Sequence, residues 1–128
     1  MAKLEAIGIL TADMKASVRF YRLLGLDVPD ATDDHLDIDL GNGTRVMFDT
    51  VELVKQLDPQ WTKPSGHAIS LAFRCESPKD VDETYARVTK AGFRGSKEPY
   101  DAFWGQRYAT LLDPDGNAVD LFADLKPA

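Results

Sequence analysis

The sequence is short of the residues that most often build metal and disulfide sites. Its 128 residues include one cysteine, Cys75, and two histidines, His35 and His67. A single cysteine excludes an internal disulfide and any zinc or iron–sulfur site made of several cysteines. Cys75 ends a predicted strand and has no histidine beside it in the sequence. We therefore interpret it as an inert buried thiol rather than a nucleophile.

Long apolar runs and an excess of basic charge are also absent. No run approaches the roughly 20 apolar residues of a membrane-spanning helix, and Met1–Glu5 lacks the apolar segment of a secretory signal peptide. The net charge is −6, whereas phosphate binding needs a basic face. We expect a cytoplasmic protein that binds neither a membrane nor nucleic acid.

The composition that remains is typical of one globular domain spanning residues 1–128. Hydrophobic residues make up 44% of the chain and charged residues 28%, as in ordinary soluble domains. A chain of this length buries about two thirds of its unfolded surface, which suffices for a single core.

The negative charge is concentrated in one short stretch. Six aspartates and no lysine or arginine lie from Asp27 to Asp39, and the rest of the chain holds 15 acidic and 15 basic residues. Such a charge run is usually a solvated loop. The alternative is that His35, which alternates with Asp37 and Asp39, lines the mouth of a cavity.

The first part of the chain predicts a strand, a helix and a β-hairpin in that order. Asp13 is placed to cap a helix that ends at Gly25, and Asn42-Gly43 is typical of a type I′ hairpin turn. A further short strand is expected near residues 27–31. The other predicted strands are Leu4–Thr11, Leu36–Leu40 and Thr44–Asp49.

The second part of the chain repeats the same order of elements. Ser77 is followed by a proline and an acidic residue, which together predict a helix start, and Gly92 predicts the helix end. A turn is expected at 113–117, where the sequence is DPDGN, and a short strand near 93–99. The other predicted strands are Ala68–Cys75, Gly105–Leu112 and Ala118–Ala123.

The repeated order predicts an α+β domain built from two tandem βαβββ modules. The first module spans residues 1–50, the connection 51–66 and the second module 67–128. A sheet with a helix on one face must cover its other face as well. The simplest arrangement is a cupped mixed sheet around a cavity, with the helices on the outer face.

Two segments carry a family resemblance. FYRLLGL at Phe20–Leu26 and WGQRYATLLDPDGNAVDLF at Trp104–Phe122, together with the paired modules, resemble the vicinal oxygen chelate superfamily. That group includes glyoxalase I, extradiol dioxygenases, fosfomycin-resistance enzymes and bleomycin-resistance proteins. The resemblance covers nearly the whole chain, and its most specific part is the DPDGN turn with the alternating strand that follows.

The resemblance implies a divalent metal held by His, Glu or Gln on the first and last strands of each module. The matching positions hold Ala6, Met47, Ser70 and Asp120. Only Asp120 is a credible ligand for such an ion, and catalytic sites of this type need about three protein ligands. Met47 is more often a pocket liner than a ligand. We therefore expect no metal, no cofactor and no catalytic residue.

Without a metal, the cavity becomes a binding site with an aromatic wall. Tyr108 is expected on the same face as Asp120, and Trp61 in the connection is a second candidate wall. The alternative is that the aromatic residues fill the core or a dimer interface. The aromatic residues clustered in the second module are Tyr100, Phe103, Trp104 and Tyr108.

An aromatic wall opposite acidic side chains suits a planar ligand or one that carries positive charge. This is similar to the bleomycin-resistance branch, whose members sequester antibiotics without altering them. The resemblance implies a homodimer, which would also bury exposed strand edges. The predicted ligand-binding residues are His35, Asp37, Met47, Trp61, Ser70, Phe103, Trp104, Tyr108 and Asp120.

An enzyme of the same fold is the alternative function. It would be a metal-dependent lyase or dioxygenase with ligands at non-standard positions, or a metal-free enzyme that uses acid–base residues in the cup. The metal content of the purified protein separates these hypotheses from the binding protein.

Overall fold

The computed structural model describes residues 1, 3–30, 33–66 and 68–126. The chain divides into two compact units, Met1–Lys63 and Pro64–Ala128. His67 lies outside the described residues. Within the described part of the chain, no helix combines the length and the apolar character needed to cross a membrane.

The first unit is a three-stranded sheet with two helices. Its elements in chain order are β1 (Ala6–Thr11), α1 (Met14–Leu23), β2 (His35–Asp39), β3 (Arg45–Thr50) and α2 (Val51–Leu57). The strand order is β1-β3-β2, with β1 parallel and β2 antiparallel to β3. The predicted cap of α1 is confirmed, since the Asp13 carboxylate accepts a hydrogen bond from the Ala16 N–H at 3.1 Å.

One face of this sheet is buried by aromatic and aliphatic packing. Phe20 and Tyr21 of α1 are fully buried, and the Tyr21 ring lies 5.1 Å from that of Phe48 on β3. Ile9 on β1 and Ile38 on β2 complete this core at 1% and 2% exposure. The opposite face therefore carries the alternate residues of each strand.

The second unit is a four-stranded sheet covered by one helix. Its elements are β4 (Ser70–Arg74), α3 (Pro78–Lys90), β5 (Arg94–Asp101), β6 (Gln106–Leu112) and β7 (Ala118–Asp124). The strand order is β4-β7-β6-β5, with only the β4–β7 pair parallel. Helix α3 begins at the predicted Ser77 cap, whose hydroxyl accepts from the Asp80 N–H.

The core of the second unit lies between α3 and its sheet. Val81 and Val88 of α3 are fully buried, as are Leu111 on β6 and Val119 on β7. Gly95 on β5 leaves room for the Tyr85 side chain of α3, since a Cβ atom there would lie 1.9 Å from the Tyr85 hydroxyl and the ring would have to shift. The other face of the sheet is left open by α3.

These elements confirm a mixed α+β fold with two βαβββ-like modules; they correct two local predictions and add one helix. Residues 27–30 are not a strand, whereas the strand expected near 93–99 is present as β5. The connection contains a helix, α2, which the Thr50 hydroxyl caps by accepting from the Leu53 N–H at 3.2 Å. The turn at Asn42-Gly43 is not type I′, because Asn42 lacks the positive φ that this turn requires.

The DPDGN turn ties β6, β7 and the segment before β4 together through two buried side chains. The Asp113 carboxylate accepts from the Asn117 N–H at 2.8 Å and from its side-chain amide at 2.9 Å. The Asn117 side-chain oxygen accepts in turn from the Ala68 N–H at 3.1 Å. Both Asp113 and Asn117 are at most 5% exposed, so these bonds are sheltered from water.

We predict that Asn117→Ala lowers the free energy of unfolding by about 2–3 kcal/mol, because it removes the amide that donates to one oxygen of the buried Asp113 carboxylate and the oxygen that accepts from the Ala68 N–H. The matched control is Asn42→Ala in the hairpin of the first unit. Asn42 is exposed, and its side-chain oxygen accepts from the Thr44 N–H at 3.1 Å, so its loss should cost less than about 1 kcal/mol. Urea denaturation measures both, and equal losses would contradict the assignment.

Candidate functional site

The open face of the four-stranded sheet carries a continuous group of aromatic rings, called the aromatic face below. Tyr100, Tyr108 and Phe122 lie side by side on β5, β6 and β7. The Trp104 ring lies 5.3 Å from Tyr108 and 5.0 Å from Phe103, edge to face in both pairs. The Tyr108 and Phe122 rings are stacked at 6.4 Å. Edge-to-face and offset stacking are the favoured aromatic geometries, so the rings support one another.

Trp104 and Phe103 sit in the turn between β5 and β6 rather than in a strand. The Ala102 N–H donates to the Gln106 carbonyl at 2.7 Å, and Gly105 closes the turn with a φ of +90°. The expectation that the strand begins at Gly105 is therefore wrong by one residue. Phe103 is 97% exposed and Trp104 is 48% exposed, which rules out a core role in this unit for both.

The Trp104 ring is nevertheless fixed in orientation. Its indole N–H donates to the Gln106 side-chain oxygen at 2.8 Å, and the Gln106 amide donates to Asp124 at 3.1 Å. An exposed ring that is held by a hydrogen bond pays little further conformational entropy on contact with a ligand. The turn thus presents a preorganised aromatic surface.

Asp120 lies beneath these rings and is bound by its own sheet. The Tyr108 hydroxyl donates to one carboxylate oxygen at 2.6 Å, and the Thr110 hydroxyl donates to the other at 2.9 Å. Tyr108 therefore shares the face of Asp120, as predicted. Burial and then the bond to Asp120 raise the pKa of Tyr108 to about 12.

The donor set does not fit the divalent metal that the resemblance implies. Ala6 and Ser70 offer no carboxylate or imidazole, Met47 offers a thioether, and both Asp120 oxygens already accept hydrogen bonds. Among the residues described, no three His, Cys, Asp or Glu side chains are grouped so that they could hold a metal ion. The described residues therefore supply no group of three such ligands for metal-dependent chemistry.

Two cations flank the aromatic face, and sequence reasoning missed both. The Arg74 guanidinium lies 4.8 Å from the centre of the Phe122 ring, and the Lys97 ammonium lies 4.9 Å from that of Tyr100. These distances are within the range of cation–π attraction. Strand alternation from Ser70 places Arg74 on this face, so the signal for Arg74 was present in the sequence. The position of Lys97 on this face was not predictable from alternation, because the register of β5 is irregular on both sides of it.

The open face of the first sheet carries a separate charged cluster. The two nitrogens of His35 lie 2.5 Å from an Asp49 oxygen and 2.9 Å from an Asp37 oxygen. Arg45 also binds Asp37. Asp37 lies opposite Met47, as predicted. Asp37 and Asp49 thus have cationic partners within their own unit, whereas Asp39 on the same face accepts from the Gly41 N–H.

These contacts change the protonation of the cluster. The hydrogen bond to Asp49, and next the one to Asp37, raises the pKa of His35 above its ordinary value. The His35 bond and then the Arg45 bond lower the pKa of Asp37. Both shifts favour an imidazolium held between carboxylates.

The structure groups the predicted site residues unit by unit. In the second unit, Ser70 is on the open face but lies opposite Ala118, at the other end of the strands from the rings. In the first unit, Trp61 is half-buried in the segment after α2, where its backbone N–H donates to the Asp58 carbonyl. The predicted residues that come together are Phe103, Trp104, Tyr108 and Asp120 in the second unit, and His35, Asp37 and Met47 in the first.

We predict that His35 titrates above its ordinary pKa of 6.5, and that His35→Gln removes a pH-dependent part of the stability. Because the folded-state pKa is raised, this contribution is full below the unfolded-state value and is lost as pH rises through the folded one. Nuclear magnetic resonance of the ring and urea unfolding at several pH values measure the two effects. A ring that titrates at or below the ordinary value would contradict the paired geometry.

Comparisons with known proteins agree with the fold described above. The family model of the Glyoxalase/Bleomycin resistance protein/Dioxygenase superfamily matches residues 3–121. No curated protein matches the sequence. Several solved structures do match it, at modest sequence identity.

Three of these structures show the range of similarity. A glyoxalase/bleomycin resistance protein/dioxygenase family enzyme from Burkholderia phytofirmans is 25% identical with a TM-score of 0.83, over 97% of this chain and 100% of that one. A superfamily member from Sphaerobacter thermophilus is 28% identical with a TM-score of 0.65, over 95% and 97%. A glyoxalase-related enzyme from Fulvimarina pelagi, 19% identical with a TM-score of 0.80 over 95% and 88%, shares the fold. With the family model matching nearly its whole length, the chain belongs to the glyoxalase/bleomycin resistance protein/dioxygenase superfamily.

Proposed function

We propose that the protein binds a planar aromatic small molecule on the aromatic face and sequesters it without changing it chemically. The observation that carries the proposal is the pair of exposed rings, Phe103 and Trp104, backed by Tyr100, Tyr108 and Phe122. A contiguous exposed aromatic patch on a small protein usually marks a binding surface. The resemblance to bleomycin-resistance proteins favours an aromatic natural product, such as an antibiotic, as the ligand.

The state of the reactive side chains favours binding over reaction. Tyr108, with a pKa of about 12, stays protonated at neutral pH and is a poor general base. Burial raises the pKa of the Cys75 thiol, which keeps it from acting as a thiolate nucleophile. Both nitrogens of His35 are engaged by carboxylates. The groups best suited to acid–base or nucleophilic work are therefore tied to neighbours or held in their unreactive form.

A homodimer and a cytoplasmic location, expected from the sequence, stay predictions. Each sheet has two edge strands, β1 and β2 in the first unit and β4 and β5 in the second. Unpaired strand edges favour association with another chain. Dimer affinity is therefore measured by sedimentation together with ligand binding.

We predict that Trp104→Ala weakens the binding of 2-naphthol, a neutral planar probe, by about 1–3 kcal/mol, because a preorganised aromatic anchor is lost. The loss of folding stability should be smaller than the ~3–5 kcal/mol of a core tryptophan truncation, since half of the ring is exposed. Isothermal titration calorimetry and thermal denaturation on the same sample measure both quantities.

The matched control is Leu111→Ala, on the buried face of the same sheet. It should cost about 2–5 kcal/mol of stability and leave the affinity of the folded protein unchanged. Trp61→Ala shows in parallel whether the second tryptophan contributes. A Trp104 variant that loses stability or dimer affinity, measured by sedimentation, while it binds 2-naphthol normally would remove this residue from the site.

A further inference from the structure

We propose that the aromatic face selects a ligand with negative charge, an aromatic carboxylate or a similar acid, whose anionic group is held by Lys97. This inference rests on the proposed function, because it specifies the ligand of the same face. It reverses the charge expected from the sequence, where aspartates pointed to a cationic ligand.

The carboxylates on this face are already used by the protein. Asp120 accepts from the Tyr108 and Thr110 hydroxyls. Asp124 accepts from the Gln106 amide at 3.1 Å, and its other oxygen lies 3.5 Å from the Arg74 guanidinium. A cationic ligand would share these oxygens with their internal partners. These acidic residues therefore organise the face, and their internal partners reduce the negative charge that a ligand would experience.

The cations on this face have fewer hydrogen bonds and ion pairs than the carboxylates. Lys97 is exposed, and among the described residues its ammonium group has neither a hydrogen bond nor an ion pair, only the Tyr100 ring at 4.9 Å. Arg94, which lies opposite Leu112 on the same face, is exposed as well. Arg74 is 62% exposed at the far edge and shares its charge with Asp124. Lys97 and Arg74 thus lie beside the rings, whereas Arg94 lies at the Ala118 end of the strands.

Lys97 is placed to meet an acid attached to a ring on Trp104. Its ammonium lies over the Tyr100 ring, and the centre of that ring lies 6.5 Å from the centre of the Trp104 ring. A planar ligand stacked on the turn would have a substituent within reach of a flexible lysine. Stacking and charge would then act on two ends of one small molecule.

The aspartate of the first sheet that was predicted to contact ligand, Asp37, gives no support to a cationic ligand either. Asp37 is bound by His35 and Arg45, and Asp49 is bound by His35. These carboxylates have partners of positive charge within their own unit. Neither sheet offers a carboxylate without a partner among the positions predicted to contact ligand.

The test uses three probes that share the naphthalene ring system and differ in charge: 2-naphthoate, 2-naphthamide and 2-naphthylmethylammonium. Affinity is read from the indole N–H resonance of Trp104 in the intact protein, with that of Trp61 recorded in the same spectra. At low ionic strength we expect 2-naphthoate to bind roughly 3- to 10-fold more tightly than the amide, and the ammonium probe to bind most weakly. Added salt should reduce the differences in affinity among the three probes.

Lys97→Gln should remove the preference for the acid while it leaves the affinity for the amide unchanged. The matched control is Lys90→Gln at the end of α3, an exposed lysine on the covering helix, which should retain the preference. Equal binding of acid and amide, tighter binding of the ammonium probe, or a preference that survives Lys97→Gln would overturn this inference while the proposed function stands. If no probe shifts the Trp104 resonance, the proposed function itself fails.

Discussion

The half-buried carboxylate of Asp120 joins β6 and β7 beneath the aromatic face of the second unit. A carboxylate that leaves water must be compensated by hydrogen bonds, and here the Tyr108 and Thr110 hydroxyls supply them. The bond to Tyr108 fixes the height and tilt of its ring, which contacts the rings of Trp104 and Phe122. This internal hydrogen bond thus orients one ring of the aromatic face and engages one oxygen of the carboxylate best suited to hold a metal.

The first unit follows the same principle with charged partners. His35 bridges Asp37 and Asp49 across β2 and β3, and Arg45 adds a second cation to Asp37. Exposed ion pairs of this kind contribute little to stability, but they remove the carboxylates as sites for an incoming cation. In both units the aspartates of these clusters, Asp37, Asp49, Asp120 and Asp124, are bound by neighbouring side chains.

Most of the fold was predictable because its signals are local. The caps at Asp13 and Ser77 satisfy helix N–H groups regardless of tertiary context, and strand alternation placed Tyr108 with Asp120. The site was only partly predictable, because Lys97 reaches the aromatic face through an irregular strand register. The state of Asp37 was also hidden, since it depends on cross-strand partners that alternation places nearby without defining their hydrogen bonds.

We infer that Asp120 serves the aromatic face and not a metal. Elemental mass spectrometry of protein purified without chelator, and of protein dialysed against zinc, nickel, manganese or iron, tests this inference. We expect metal far below one equivalent per chain in every case, and aromatic probes that bind equally well with and without chelator. One equivalent of bound metal that disappears in Asp120→Asn would contradict it.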